Sequence, residues 1–391
     1  MERRFRRADW GREGGAGPVS TPALELYRTC EVVDLHIETF VWTRLFGYDL
    51  ARAHDSGPTR ARYLGQADLP RLIAAGLSGA VLSIATNPGR RRGTRTATLL
   101  ANIDRLRTIA SLPSPNTSTS SSPSASPSPS VSQSSAVSRS PCSAGFTPRP
   151  SATVVGDAGG YGRARAGGQL AVFLAVQGGN AFDTAGDVRL LPDGALVRVT
   201  LMHLTDSALG ATSSPLGRSR GRGRLTAAGG AMVKVLNERR ILVDLAHAAK
   251  PTFWDALAVH DPALPPVVSH TGVSGVRPSW RNLDDDQIRA IADRGGVVGI
   301  MYHRGFLGRP ARRVGAEAIV RHLEHAIAVG GEDVAALGSD WDGLIVTPRD
   351  MPTALDLPVL VDRMLARHWP EARIRRVLGA NALRLIAAIR P

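Results

Sequence analysis

The sequence predicts an α/β fold, a (β/α)8 TIM barrel. Eight short runs rich in Val, Leu, Ile and Ala recur near residues 32–36, 79–86, 170–176, 195–202, 241–246, 266–269, 296–302 and 335–339. Most are separated by a stretch with helical spacing. They are continuously apolar rather than alternating, as strands of a parallel sheet buried on both faces are. Five segments also lead into a residue of metal-binding type: VVDLHIE (His36, Glu38), LAVFLAVQGG (Gln177), ILVDLAH (His247), PVVSH (His270) and AALGSDWDG (Asp340). In a closed barrel all carboxyl ends of the strands converge on one mouth, where active sites sit. An open doubly wound sheet is the rival, but no GxGxxG opens the first crossover and the polar residues do not gather at one switch point.

Each element follows from local chemistry. Residues 1–20 read as a flexible tail, and 21–391 as a single barrel domain. ALELYRTCE reads as a short helix before the first strand, and 66–76 as a second helix. LSGAVLSIATN is a strand ending near Asn87, followed by the helix TRTATLLANIDRLRTIAS. Residues 112–152 are Ser/Pro-rich with almost no large apolar side chains, so they predict a disordered insertion on the barrel surface. The strand ALVRVTLMH leads into His203. Thr226 is placed to N-cap the helix TAAGGAMVKVLNERR. LDDDQIRAIADRGG opens on acids and stops at glycine, as helix dipole and cap chemistry prefer. EAIVRHLEHAIAVGG is a further helix, and helices at 355–367 and 371–388 close the chain.

Composition excludes several classes. The net charge of +14 is carried almost wholly by Arg, since the only lysines are Lys234 and Lys250. The Arg residues are dispersed without interleaved aromatics or a nucleic-acid motif, which argues against a nucleic-acid partner. Cys30 and Cys142 form no CxxC pair, so neither a thiolate zinc site nor a disulfide framework is implied. The charged N-terminus lacks an apolar signal core and no apolar run is long enough to span a bilayer. No membrane association is therefore expected, and cytoplasmic residence is the default expectation.

The candidate site is a constellation. His36 and Glu38 alternate on one strand, so both side chains can reach one ion. His247 and His270 end neighbouring strands, and Asp340 ends the strand beside the first. Two ligand groups result, His36/Glu38/Asp340 and His247/His270, with Gln177 near both. They suggest two metal positions roughly 3.5–4 Å apart bridged by water. Taken singly, a histidine after an apolar strand is more often a packed core group; the joint placement carries the reading. His260, His322, His325 and His368 fall on helices or their ends and read as surface histidines, and Asp342 reads equally well as a loop cap.

DLHIE, FLAVQGG, LMHLTDS, ILVDLAH, PVVSHTGVSGVRPSWRNLDDDQIRAIADRGGVVGI and ALGSDWDG, in that order, resemble the renal (membrane) dipeptidase family, zinc peptidases of the amidohydrolase-like barrels. The resemblance runs from about residue 31 to 388 outside 112–152. It implies that His36 and the acid two residues later hold a first zinc and His247 and His270 a second. It implies that Asp340 shuttles the proton of a metal-activated water, that His203 stabilises the oxyanion and touches substrate, and that Arg281 pairs with the substrate's terminal carboxylate. The implied substrate is a dipeptide or another small amide; a homodimer stays open. Two positions depart from the family pattern. Glu38 stands where the family has Asp, and Gln177 where it has a metal-bridging Glu. Two dications about 4 Å apart repel by on the order of 15 kcal/mol at an effective dielectric of roughly 20, and a neutral amide offsets far less of this than a carboxylate. The expectation is an impaired or single-metal site, with the His36/Glu38/Asp340 position the one that stays filled; the alternative function is a dipeptidase-like barrel that binds without turnover.

Overall fold

A computed structural model describes residues 19–55, 61–85, 91–111 and 152–391. Nine strands form among them: β1 (Val33–Ile37), β2 (Gly79–Ala85), β3 (Ala152–Val154), β4 (Leu170–Gln177), β5 (Arg198–Thr200), β6 (Leu242–Asp244), β7 (Val267–Thr271), β8 (Val297–Ile300) and β9 (Ala335–Leu337). All are paired in parallel, in the order β2-β1-β9-β8-β7-β6-β5-β4-β3, and β2 also pairs with β4. That pairing, from Gly79↔Ala171 to Ala85↔Gln177, closes eight strands into the predicted (β/α)8 barrel.

β3 was not expected. It pairs with the first half of β4 while β5 pairs with the second half, so both share the edge of β4 that faces away from β2. Only three residues long, it starts at Ala152, the last residue of the predicted insertion; the remainder of that segment, 112–151, lies outside the described residues, as do residues 1–18 and Asn87. The N-terminal tail and the insertion are thus left as expectations.

β-Branched and small residues build the sheet because both of its faces are covered. Along β4, Ala171, Phe173 and Ala175 belong to the cluster that fills the barrel, while Val172, Leu174 and Val176 pack into the cluster shared with the helices. Gln177 continues the inward parity and so arrives at the mouth. Several helices start where the chain supplies a cap. Thr226 Oγ1 accepts from Gly229 N at 3.1 Å to open Ala227–Glu238. Asp284 and Gln287 form a reciprocal capping box for Asp285–Ala292. Asp68 caps Leu69–Ala74 by accepting from Arg71 N at 2.7 Å. A short helix, Phe40–Phe46, follows β1 and was not expected. No helix among the described residues is long and apolar enough to cross a membrane.

The expected strands at 195–202 and 241–246 shrink to Arg198–Thr200 and Leu242–Asp244. The residues beyond leave the ladder as loops over the mouth. Close packing there requires glycine: a Cβ on Gly338 would lie 1.9 Å from the Ser269 carbonyl oxygen, and one on Gly299 2.0 Å from it. Backbone cannot swing aside as a side-chain tip can. Gly338→Ala is therefore expected to lower stability by about 3 kcal/mol, read as a lower urea midpoint at unchanged m-value; an unchanged midpoint would show that the β7–β8–β9 approach is looser than described.

Candidate metal centre

The junction of β1 with β9 sets the first group of ligands. Asp34 accepts from His36 N at 2.9 Å and from Ser339 N at 3.1 Å, tying the two strands through one buried carboxylate. Asp340 N donates to His36 O at 2.9 Å, and Glu38 N to Trp341 O at 2.9 Å. These bonds put His36 Nε2 3.2 Å from Glu38 Oε1 and 3.6 Å from Asp340 Oδ1. Asp340 and His247 both adopt left-handed backbone angles, φ 63° and 65°. Non-glycine residues adopt this region uncommonly, Asp and His more readily than most. Asp342, also left-handed at φ 64°, accepts from Thr39 Oγ1 and Gln66 N, both at 2.8 Å, and so acts as the loop cap that the sequence allowed.

The second group lies alongside. His247 Nε2 is 2.9 Å from His270 Nε2, and Gln177 Nε2 is 3.4 Å from His247 Nε2. His270 stacks on His36 with ring centroids 3.7 Å apart, which joins the two groups. His203 stands edge-on to His247 at 5.2 Å. Arg281 is buried, not one more solvated arginine, and its Nη2 donates to His270 O at 2.6 Å. The structure thus brings together His36, Glu38, Gln177, His203, His247, His270, Arg281 and Asp340.

Beneath them is a polar floor that sequence reasoning missed. Arg198 is almost wholly buried and bonds Asp244, Thr200 Oγ1 at 2.6 Å and His36 Nδ1 at 2.8 Å. Asp244 also accepts from Ser269 Oγ at 2.6 Å and from the Ser269 and Ala246 amides, each at 3.0 Å. Ser269 Oγ lies 2.9 Å from His270 Nδ1. A charged residue inside each of the apolar runs ALVRVTLMH and ILVDLAH was the available signal. Two of the histidines read as surface groups are instead buried, His322 and His260. His322 accepts from Val273 N at 2.9 Å and lies 3.1 Å from Leu307 O, a structural bridge between loops.

Burial dominates the electrostatics. It holds the His36, His247 and His270 imidazoles well below the usual histidine range, helped by the Arg198 guanidinium at His36 and by Arg281 at all three. His203 is pushed down to about 4, again chiefly by burial with Arg281 beside it. Burial pushes Glu38 up to about 8, with the Asp340 charge adding to it, and Asp340 up to about 8 against the pull of Arg281. Neutral imidazoles beside dry carboxyls form a donor set suited to a cation. His36 Nε2, Glu38 Oε1, Gln177 Oε1 and His247 Nδ1 are buried without a hydrogen-bond partner, and such atoms ordinarily have one. Among the described residues, His36, His270 and Asp340 can each offer a ligand atom within 4.8 Å of the others. Nitrogen and oxygen donors of this kind suit zinc or a similar divalent ion.

Comparison with known proteins agrees with the geometry. The sequence profile of the membrane dipeptidase family, peptidase family M19, matches residues 148–390. The chain belongs to that family. The family is one of metallopeptidases. Over 165 residues the chain is 36% identical to an uncharacterized protein of the pqqA 5′ region of Klebsiella pneumoniae, a match covering 41% of this chain and 60% of that protein's length. In fold it is similar to a metallopeptidase from Rhodobacter sphaeroides liganded with a phosphinate mimic of the dipeptide L-Ala-D-Ala, with TM-score 0.72, 21% identity, and 92% of this chain and 99% of that chain covered. It is likewise similar to a probable dipeptidase from Pseudomonas aeruginosa, with TM-score 0.72, 15% identity, and 95% and 98% covered.

The floor of this M19 barrel can be tested separately from its chemistry. Asp244→Ala removes the carboxylate facing a buried guanidinium, and breaking such a pair costs about 3–5 kcal/mol. Chemical denaturation should show that loss, whereas a variant as stable as the parent would mean that Arg198 finds another counter-charge.

Proposed function

We propose that this M19 barrel is a zinc-dependent dipeptidase, taking a dipeptide or another small amide at its mouth. What supports the reading is the convergence of His36, His247, His270 and Asp340, drawn from four strands, in a family of metal-dependent dipeptidases. The dipeptide mimic held by the Rhodobacter sphaeroides relative fits the same substrate class. His36, Glu38, Gln177, His247, His270 and Asp340 are the residues that would hold the metal. A divalent ion, when bound there, would supply Lewis-acid chemistry, polarising the scissile carbonyl and lowering the pKa of water.

The chain's own residues supply the rest. Arg281 keeps one amino group on His270 O and has further N–H donors in the plane of its guanidinium, the geometry that pairs with a substrate carboxylate. His203, neutral near pH 7, can donate one N–H to the carbonyl oxygen as it gains charge. Asp340 accepts a proton from the attacking water at its carboxylate oxygen. The same proton passes to the amine nitrogen as the C–N bond breaks, giving two free amino acids.

A second reading rests on Gln177. Its amide stands where the family has a carboxylate and meets His247 at 3.4 Å, which favours a barrel that binds a ligand without turning it over. A dipeptide-hydrolysis assay with added zinc, cobalt or manganese separates the two. We expect turnover by the parent chain and its loss by at least about a hundredfold in His270→Ala. Turnover appearing only in Gln177→Glu would favour the non-catalytic reading, and no turnover in either chain would contradict the dipeptidase assignment.

A further inference from the structure

A separate cavity of about 390 Å³ lies beside the loop that leaves β4 and shares no residue with the candidate metal centre. Its size falls in the range of small-molecule sites, roughly 300–1,000 Å³. It opens between the start of the helix Arg95–Ala110, the stretch Asn180–Gly186, and the first two turns of the helix Ala227–Glu238. The walls are pinned to one another. Asp183 accepts from the backbone amides of Gly93 at 2.6 Å, Arg95 at 3.1 Å and Thr96 at 3.3 Å, and its own amide donates to Thr96 Oγ1 at 2.9 Å. Arg95 Nη1 donates to Asn180 O at 3.4 Å. Gly179, two residues beyond Gln177, backs the apolar side: a Cβ there would lie 2.8 Å from Leu209 Cδ1 and 3.7 Å from Met232 Cγ.

Three chemistries meet in this space. Phe182, Leu209 and Met232 are buried and form an apolar wall, widened by Ala208, Ala228 and Ala231. Arg92 and Arg95 bring two guanidinium groups to the lining, and Asp183 one carboxylate. A guanidinium pairs with a carboxylate through parallel N–H donors. A carboxylate that already holds backbone amides keeps lone pairs for an ammonium group. We propose that this cavity binds a free α-amino acid with an apolar side chain. Its carboxylate lies on Arg92 and Arg95, its ammonium on Asp183, and its side chain against Phe182, Leu209 and Met232. A simple apolar carboxylate leaves Asp183 unanswered, and an apolar amine leaves both arginines so. On the dipeptidase reading such amino acids are products of turnover, and the cavity gives them a place near Gln177 that leaves the mouth open. That role rests on the dipeptidase reading; the binding does not.

Calorimetric titration of the full chain with L-leucine tests this without reference to turnover. One leucine per chain is expected. L-Leucinamide, which lacks the carboxylate, and 4-methylpentanoate, which lacks the ammonium, should each bind at least about tenfold more weakly, the worth of one hydrogen bond to a charged group. Ala231→Trp fills the cavity from an exposed helix position, so the chain should keep its fold and lose leucine affinity by at least about tenfold. Arg92→Gln, at another exposed position, should weaken leucine about tenfold as well. Arg281→Gln, at the mouth, should change leucine affinity by less than about threefold, as independent sites do. No binding, equal binding of leucinamide or 4-methylpentanoate, or full affinity in Ala231→Trp would overturn the proposal. Affinity kept in Ala231→Trp and lost in Arg281→Gln would place leucine at the mouth instead. Leucine binding at the cavity without dipeptide turnover would uphold the site while contradicting the dipeptidase reading.

Discussion

The centre depends on the parallel pairing of β2 with β4. That ladder runs from Gly79↔Ala171 to Ala85↔Gln177 and turns an open sheet into a cylinder. Closure seals the lumen with Val33, Phe173, Val197 and Val297 and leaves the carboxyl ends of the strands as a dry rim. Desolvation then does most of the electrostatic work. It keeps three imidazoles neutral and raises Glu38 and Asp340, because an isolated charge in that setting is expensive. A site in this state favours a cation, since one divalent ion satisfies neutral nitrogens and acids together.

The floor decides how that preference is met. Arg198, Asp244 and Ser269 form a connected network in which each polar group orients the next, and two of its ends terminate on imidazoles. Such networks specify structure when fully satisfied. A guanidinium meets one ring and a serine hydroxyl the other, so the network holds the orientation of both imidazoles. The arrangement joins stability to the geometry of the mouth: the Asp244 carboxylate that pairs with Arg198 also holds the Ser269 hydroxyl that meets His270.

Much of this was legible in the sequence. Eight strands were readable because parallel strands buried on both faces must be apolar throughout, and their ends were marked by His36, Gln177, His247, His270 and Asp340. The departures at Glu38 and Gln177 could be seen only against the family pattern. β3 escaped notice because three residues beside a Ser/Pro-rich segment carry no periodicity. Arg198 escaped because one arginine in an arginine-rich chain looks like background, although its place inside ALVRVTLMH meant burial. His322 and His260 were misjudged since a histidine on a helix gives no sign of which face it occupies, whereas a histidine at a barrel strand's carboxyl end has only the mouth to face.

The most direct test is anomalous diffraction at the zinc edge from crystals of the full chain equilibrated with zinc. The account predicts a peak about 2.0–2.1 Å from the Nε2 atoms of both His247 and His270. Ordered rings at the mouth with no peak against either one would contradict it.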